Sequence, residues 1–318
     1  MGAFGESVAG LPSMLRKLSV QNRSPAELRR LAAERREQAS SQTGKIKRLL
    51  LEEARLLDFQ AESRIWIAER RSVSYELAAF FAKVSSRMEL APADERSLLT
   101  GAMPPRHAQK GELLIEQEEE TSSLVILCSG MARAVRTLLD GRQQIVAVFV
   151  AGDTLNATDL PFRQARNSIS ALTPAICLSI PLRHLDTLLT GHPAIARALW
   201  LDAAAQSAIQ QEWMVGLGRH QAQARLAHFI CEVSCRLQFS GSSADDSFEF
   251  PLTQRELGDT LGLSPVHVNR TLQLLRGQGL IELSHQKLTI RNKSGLYELA
   301  EFDPRYLGGS RFADRGAT

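Results

Sequence analysis

Apolar residues recur with a helical period twice between Leu252 and Leu283, and the chain then changes to the period of a strand. Leu257 and Leu261 stand four apart on one face of a first predicted helix, and Val268, Leu272 and Leu275 line the inner face of a second. The residues between these positions are those that start and stop helices. Thr253 can cap the first helix, and Glu256 three positions later can close a capping box. Gly258 is small where a neighbouring helix must pass close. Gly262 suits the left-handed turn that ends a helix. Ser264 can cap the second helix, with Pro265 at its first position, where a missing N–H costs nothing. Further on, His285, Lys287, Thr289 and Arg291 alternate with Gln286, Leu288 and Ile290, the mark of a strand with one polar face.

That pattern spells a helix-turn-helix followed by a β-wing. His267, Asn269, Arg270 and Gln273 are left pointing outward from the second helix. A short helix with donor-rich side chains near its exposed N-terminus is the part of such a motif that enters a DNA major groove. Thr253, Ser264 and Pro265 sit at the helix starts beside it, and His285 and Lys287 on the wing are placed to reach phosphates. The plainer reading is a helical hairpin with a solvated face. The Gly262 turn, the Ser264-Pro265 start and the wing that follows favour the DNA reading.

Upstream, the texture changes three times. Ser24-Pro25-Ala26-Glu27 opens a helical segment, and after a break at Ser40–Gly44 a second run carries Ile46, Leu49, Leu50, Leu56, Leu57, Ile65 and Ile67 on a predicted amphipathic face. A helical hairpin within residues 1–72 is the simplest picture. Over residues 1–71 basic side chains outnumber acidic ones, 14 to 9. This is read first as a solvated face and second as an arm for a partner. Residues 73–192 begin with a helical stretch and continue as short, glycine-punctuated β-like runs, with Asp140-Gly141 as a hairpin turn. Many short strands at close spacing predict a roll or sandwich. Residues 193–219 read as one long helix whose Ile195, Leu199, Ile209 and Trp213 form a stripe suited to a dimer seam, or else to packing on its own domain. The DNA-reading domain is placed at 220–300, and 301–318 as a flexible tail. The fold class expected is therefore α+β: an N-terminal helical hairpin, a jelly-roll type β-roll, a long dimerisation helix and a C-terminal winged helix-turn-helix.

Composition narrows the functional classes. A net charge of +3, 44% hydrophobic and 23% charged residues describe an ordinary globular chain, so any affinity for nucleic acid must be local. No apolar run approaches a membrane span, and no secretory cleavage pattern opens the chain, so no membrane partner and a cytoplasmic location are expected. Cys128, Cys177, Cys231 and Cys235 are too few and scattered for a disulfide framework. His228, Cys231 and Cys235 can share a helical face, but no fourth metal ligand stands near them, and no metal is expected. There is no phosphate loop and no nucleophile elbow, so an enzyme is not expected.

The order of parts, with glycines around Gly111, Gly130 and Gly152-Asp153, the Ala171–Ala175 segment and Leu263–Leu272, resembles the Crp–Fnr superfamily of bacterial transcription regulators. Pro265 to Arg270 is similar to its FixK-like branch, which includes members without a known small effector. The resemblance covers roughly Leu77 to Ile290 and leaves the N-terminal hairpin outside. It implies a cyclic-nucleotide-binding-like roll, a homodimer on a palindromic operator, double-stranded DNA as partner, and contact with RNA polymerase. It also implies that Arg270 takes the place of the family's guanine-reading Arg, while Val266 stands where the family has an acid and can meet a thymine methyl. The nucleotide pocket does not carry over. Thr154 to Thr158 hold no acid after Gly152-Asp153, and Arg166 falls one position from the family's phosphate-binding Arg. Asn156, Asp159, Arg166 and Ser168 are the residues of any effector pocket. No cofactor is expected. Cyclic nucleotide is one alternative, and haem near His107 or His184 another. An iron–sulfur centre lacks its N-terminal cysteines, since none precedes Cys128. The competing functional reading is a small-molecule sensor whose output is protein contact through the N-terminal arm.

Overall fold

The computed structural model describes residues 23–69, 77–243 and 246–308, in two separate compact units, residues 1–71 and 72–318. The first unit is a helical hairpin. Helix α1 (Pro25–Ser40) starts with a closed capping box between Ser24 and Glu27. It packs on α2 (Gly44–Glu69) through Leu28, Ala32, Ala54, Leu57 and Ala61. Alanines at the seam let the two backbones approach, and the Arg35–Glu53 and Arg36–Asp58 pairs lie across it. The sequence stripe misplaced Ile46, which is exposed; the seam is made by Leu28, Leu57 and the alanines between them. The side chains of Ile65 and Ile67 lie outside the described residues.

The second unit begins with α3 (Ala78–Ser85) and α4 (Pro92–Thr100). It continues as seven strands: β1 (Arg106–Ala108), β2 (Leu113–Ile115), β3 (Ser123–Ser129), β4 (Met131–Thr137), β5 (Gln143–Val150), β6 (Ser168–Ala171) and β7 (Ala175–Pro181). These form two antiparallel sheets, β1-β7-β3 and β2-β6-β4-β5, which is a roll. Its inner core is Leu127, Ala132, Phe149, Leu155, Ile169 and their neighbours. Strand β5 is apolar along most of its length because both of its faces are covered. Phe149 joins the roll core, while Ile145, Val148 and Val150 join a second core shared with the C-terminal helices. Gly152, at φ +89°, lies so close to α3 that an added Cβ would stand 2.6 Å from the Ala79 carbonyl oxygen.

Helix α5 (Leu182–Gly191) leads to the long α6 (Pro193–Arg219), of 27 residues. Ile195, Leu199 and Ile209 of the expected dimer stripe are buried within their own chain, and Trp213 donates Nε1–H to Glu232 at 2.7 Å. The exposed apolar residues of α6 are instead Trp200, Met214, Val215 and Leu217. Helix α7 (Ala222–Phe239) is buried on nearly every side. Around it lie β8 (Ser247–Glu249), α8 (Gln254–Leu261), α9 (Pro265–Gly277), β9 (Ile281–Ser284), β10 (Lys287–Ile290) and α10 (Lys293–Ala300). The wing sheet runs β8-β10-β9, so the two strands read from sequence gain a third. The expected flexible tail starts too early at 301. Phe302 and Leu307 are buried, and Tyr306 stacks on His228 with ring centroids 5.9 Å apart, because these apolar groups close the core around α7.

Six charged side chains are drawn into this packing. Arg236 on α7 donates to Asp153 at 2.5 Å, to the Val148 carbonyl at 2.8 Å and to Glu232 at 2.9 Å. Lys83 on α3 bridges Asp153 at 2.5 Å and Asp202 on α6. Asp202 also accepts from the Thr154 hydroxyl at 2.6 Å, and Arg87 approaches it at 3.6 Å. Burial opposes ionisation of Asp153, but Arg236 and Lys83 outweigh it and hold its carboxyl down at about 2. Burial pushes the Glu232 carboxyl the other way, upward, against the opposing pull of Arg236.

Candidate nucleic-acid interface

The interface is built from caps upward. Thr253 and Glu256 close the capping box of α8, with Glu256 N–H to Thr253 Oγ1 at 3.2 Å and Thr253 N–H to Glu256 Oε2 at 2.7 Å. Gly262 takes φ +64° and ends α8. Gly258 faces the turn so closely that a Cβ there would meet the Leu263 carbonyl at 2.4 Å. Ser264 Oγ accepts from His267 N–H at 3.2 Å and caps α9, with Pro265 in its first turn. Val268, Thr271, Leu272 and Leu275 are buried. That leaves Pro265, Val266, His267, Arg270 and Gln273 exposed on the opposite face, and Asn269 half-buried. Val266 is 72% exposed, so its side chain is open to a partner on this face.

The wing turns through His285 and Gln286, both at positive φ (49° and 63°), a two-residue hairpin whose twist matches the flanking strands. Sequence reading put His285 and Gln286 on the strand; the turn takes both. His285 and Lys287 are exposed, and Ser284 Oγ lies 2.9 Å from His285 Nδ1. Between α9 and the wing runs an open groove of about 630 Å³ lined by Gln273, Arg276, Glu282 and Arg291. Arg276 was missed from sequence because it sits on the flank of α9, off the stripe that contains Arg270. Arg133 of β4 reaches Glu256 at 2.6 Å, and Gln144 reaches the Thr260 carbonyl at 3.4 Å, so α8 leans on the roll.

Each of the expected effector residues is already engaged within the chain. Asp159 is buried, and it accepts from Arg166 Nε at 2.6 Å. Arg166 also donates to Thr158 Oγ1 at 3.0 Å and stands 5.4 Å over the Phe162 ring. Asn156 accepts from Val125 N–H and donates to the Ser123 carbonyl, each at 2.9 Å, so it staples β3. Ser168 Oγ accepts from Gln117 N–H at 3.2 Å. These residues do not fit a cyclic phosphate, because the guanidinium that would take it is held by a carboxylate of the same chain. His107 is exposed on β1, while His184 lies on α5 with Nε2 buried and without a partner. Cys231 and Cys235 are buried, and burial pushes both thiols upward, Cys235 lying 3.1 Å from the Tyr297 hydroxyl. Among the described residues no group of three or more His, Cys, Asp or Glu is placed to hold a metal ion. No described helix is long and apolar enough to cross a membrane.

A two-sheet roll joined by a long helix to a winged helix-turn-helix defines a class, the DNA-binding regulators with an N-terminal sensor-like domain. Comparison with known proteins gives the same division. Residues 105–192 match the cyclic nucleotide-binding domain family, and residues 224–299 match the Crp-like helix-turn-helix domain family. The chain is 27% identical over 192 residues to the fumarate and nitrate reduction regulatory protein of Shigella dysenteriae, covering 60% of this chain and 76% of that one. It is 27% identical over 195 residues to the transcriptional activator protein FnrA of Stutzerimonas stutzeri, covering 61% and 80%. The solved structure of FixK2 from Bradyrhizobium japonicum aligns with a TM-score of 0.56 at 25% identity, over 62% of this chain and 96% of that one. The chain belongs to the Crp–Fnr superfamily of transcription regulators, and its helix-turn-helix is the DNA-binding element.

Proposed function

We propose that the protein acts as a homodimer on a palindromic operator, each protomer laying α9 in a major groove with the wing against the backbone. The observation that carries this is the polarity of α9. One face is core, and the other presents Val266, His267, Arg270 and Gln273 to solvent without an intrachain use for their side chains beyond the cap. In this reading Arg270 grips a guanine edge as a two-pronged donor and Val266 meets a thymine methyl. His267, Asn269 and Gln273 bond base edges or phosphate. Thr253, Ser264, Pro265, His285 and Lys287 set the helix starts and the wing against the sugar–phosphate strands. Two-fold symmetry of the dimer gives half-sites about one helical turn apart. The roll serves as a scaffold rather than a cyclic-nucleotide sensor, since Asp159 holds Arg166. The protein works in the cytoplasm, and RNA polymerase is the partner through which promoter output changes.

The test is binding to a selected operator and to variants with one base pair changed. Arg270→Ala is expected to cost about 1–3 kcal/mol and to relax discrimination at one base-pair position per half-site. Uniform binding to every sequence by wild type and variant alike would refute the reading.

A further inference from the structure

The buried charges around α7 have no role in capping, base contact or the wing, yet they join the roll, α3, α6 and α7. Asp153 and Val148 belong to the roll, Asp202 to α6, Lys83 and Arg87 to α3 and its end, and Glu232 and Arg236 to α7. Three cations face three carboxylates, so the cluster is neutral. Arg236 is the one side chain in it that reaches from the DNA-reading domain to the roll: Nη2 donates to Asp153 and to the Val148 carbonyl, while Nη1 is held by Glu232 on its own helix. Glu232, its partner on the same helix, is tied in turn to α6 through Trp213 Nε1–H at 2.7 Å.

Apolar contact alone tolerates sliding and rotation, because it is non-directional. A guanidinium held by acceptors on two different domains tolerates neither, since its N–H groups point in fixed directions and a lost partner leaves a bare charge in the interior. The apolar surface here is of the sliding kind: Ile145, Val148 and Val150 of β5 meet Phe229, Ile230 and Val233 of α7 in one continuous core. Helix α9 rests on α7 through Val268, Leu272 and Leu275 of that same core, so any turn of α7 carries α9 with it. We propose that Arg236, bridging Asp153 of the roll to Glu232 of α7, is the positioning residue that fixes the direction in which α9 is presented, and so the half-site separation the dimer accepts. The inference rests on the homodimeric DNA-reading function.

Two tests separate the bridge from the reading it depends on. Arg236→Lys keeps the charge but loses the fork. Arg236→Gln combined with Glu232→Gln removes one charge of each sign from α7, so no net charge is left buried, and Lys83 still serves Asp153. Each variant is compared with wild type on palindromes of identical half-sites whose spacer is one base pair shorter, unchanged or one longer, after cooperative unfolding has shown it folded. Wild type is expected to lose about tenfold or more in affinity on either spacer change, a loss comparable to that for a wrong base pair. The variants are expected to bind all three spacers within about threefold of one another while keeping the wild-type response to base changes inside the half-site. Folded variants with wild-type spacer preference would overturn the proposal. Loss of half-site discrimination in wild type itself would overturn the DNA-reading function instead. If Arg236→Lys does not fold, the neutral double variant decides; a double variant that also fails to fold under conditions that preserve wild type would assign the cluster to folding and overturn the positioning role.

Discussion

His228 shows how one residue changes meaning once its surroundings are known. By spacing it shares a face with Cys231 and Cys235 and could be a ligand. In the structure it is stacked on Tyr306, edge-on to Phe302 with ring centroids 5.1 Å apart, with His220 nearby and Glu212 Oε2 at 3.9 Å. Burial, helped by repulsion from His220, lowers its imidazolium pKa from 6.5 to about 4. The unfolded chain therefore takes up this proton first as pH falls. Stability is unaffected above 6.5 and declines between 6.5 and about 4, by roughly 3 kcal/mol in all for this one group. Chemical denaturation at pH 7.5 and pH 5 is expected to show that decline, and His228→Gln should flatten it; an unchanged slope in the variant would assign the acid sensitivity to other groups. Asp159 makes the same point in reverse. As sequence it is a candidate ligand contact, and as structure it is the internal anion that Arg166 already has.

At the scale of elements, α6 carries two apolar faces, and sequence periodicity pointed at one of them. Ile195, Leu199 and Ile209 turn inward, and Ile209 joins the core around α7. In the proposed homodimer, Trp200 and Met214, two heptads apart and 73% and 68% exposed, with Val215 and Leu217 beside the second, are the residues available to a partner helix. Met214→Glu is expected to leave the monomer folded, shift sedimentation toward the monomer, and weaken palindrome binding at least about tenfold by putting a charge in the seam. A variant that stays dimeric would move the seam away from this face. The helix-turn-helix was legible residue by residue, since caps, a left-handed glycine and a proline at N1 are local signals. Strand β8 was not legible. Three residues carry too little periodicity, and only pairing with β10 defines them.

Across the whole molecule, residues 1–71 form a unit of their own, and the family matches begin at residue 105. Its core of alanines and leucines is complete within itself. Deleting residues 1–71 is therefore expected to leave the melting of the remaining unit and its operator affinity within about twofold of the full chain. Loss of promoter regulation with operator binding intact would identify the hairpin as a docking arm, whereas loss of binding itself would mean the arm contributes to the DNA interface. The division of labour between sequence and tertiary structure follows from the range of the forces. Short-range patterns were enough for the DNA-reading helix, its caps, the alternating strand of the wing and the order of domains, because period and capping act within a few residues. Which face of α6 lies inward, that Asp159 holds Arg166, that residues 302–307 close a core, and that Arg236 joins two domains were decided only by the folded chain. Each of these depends on a partner seven to eighty-odd positions away, and burial in the shared core sets whether a polar or apolar group is paired, covered or left exposed.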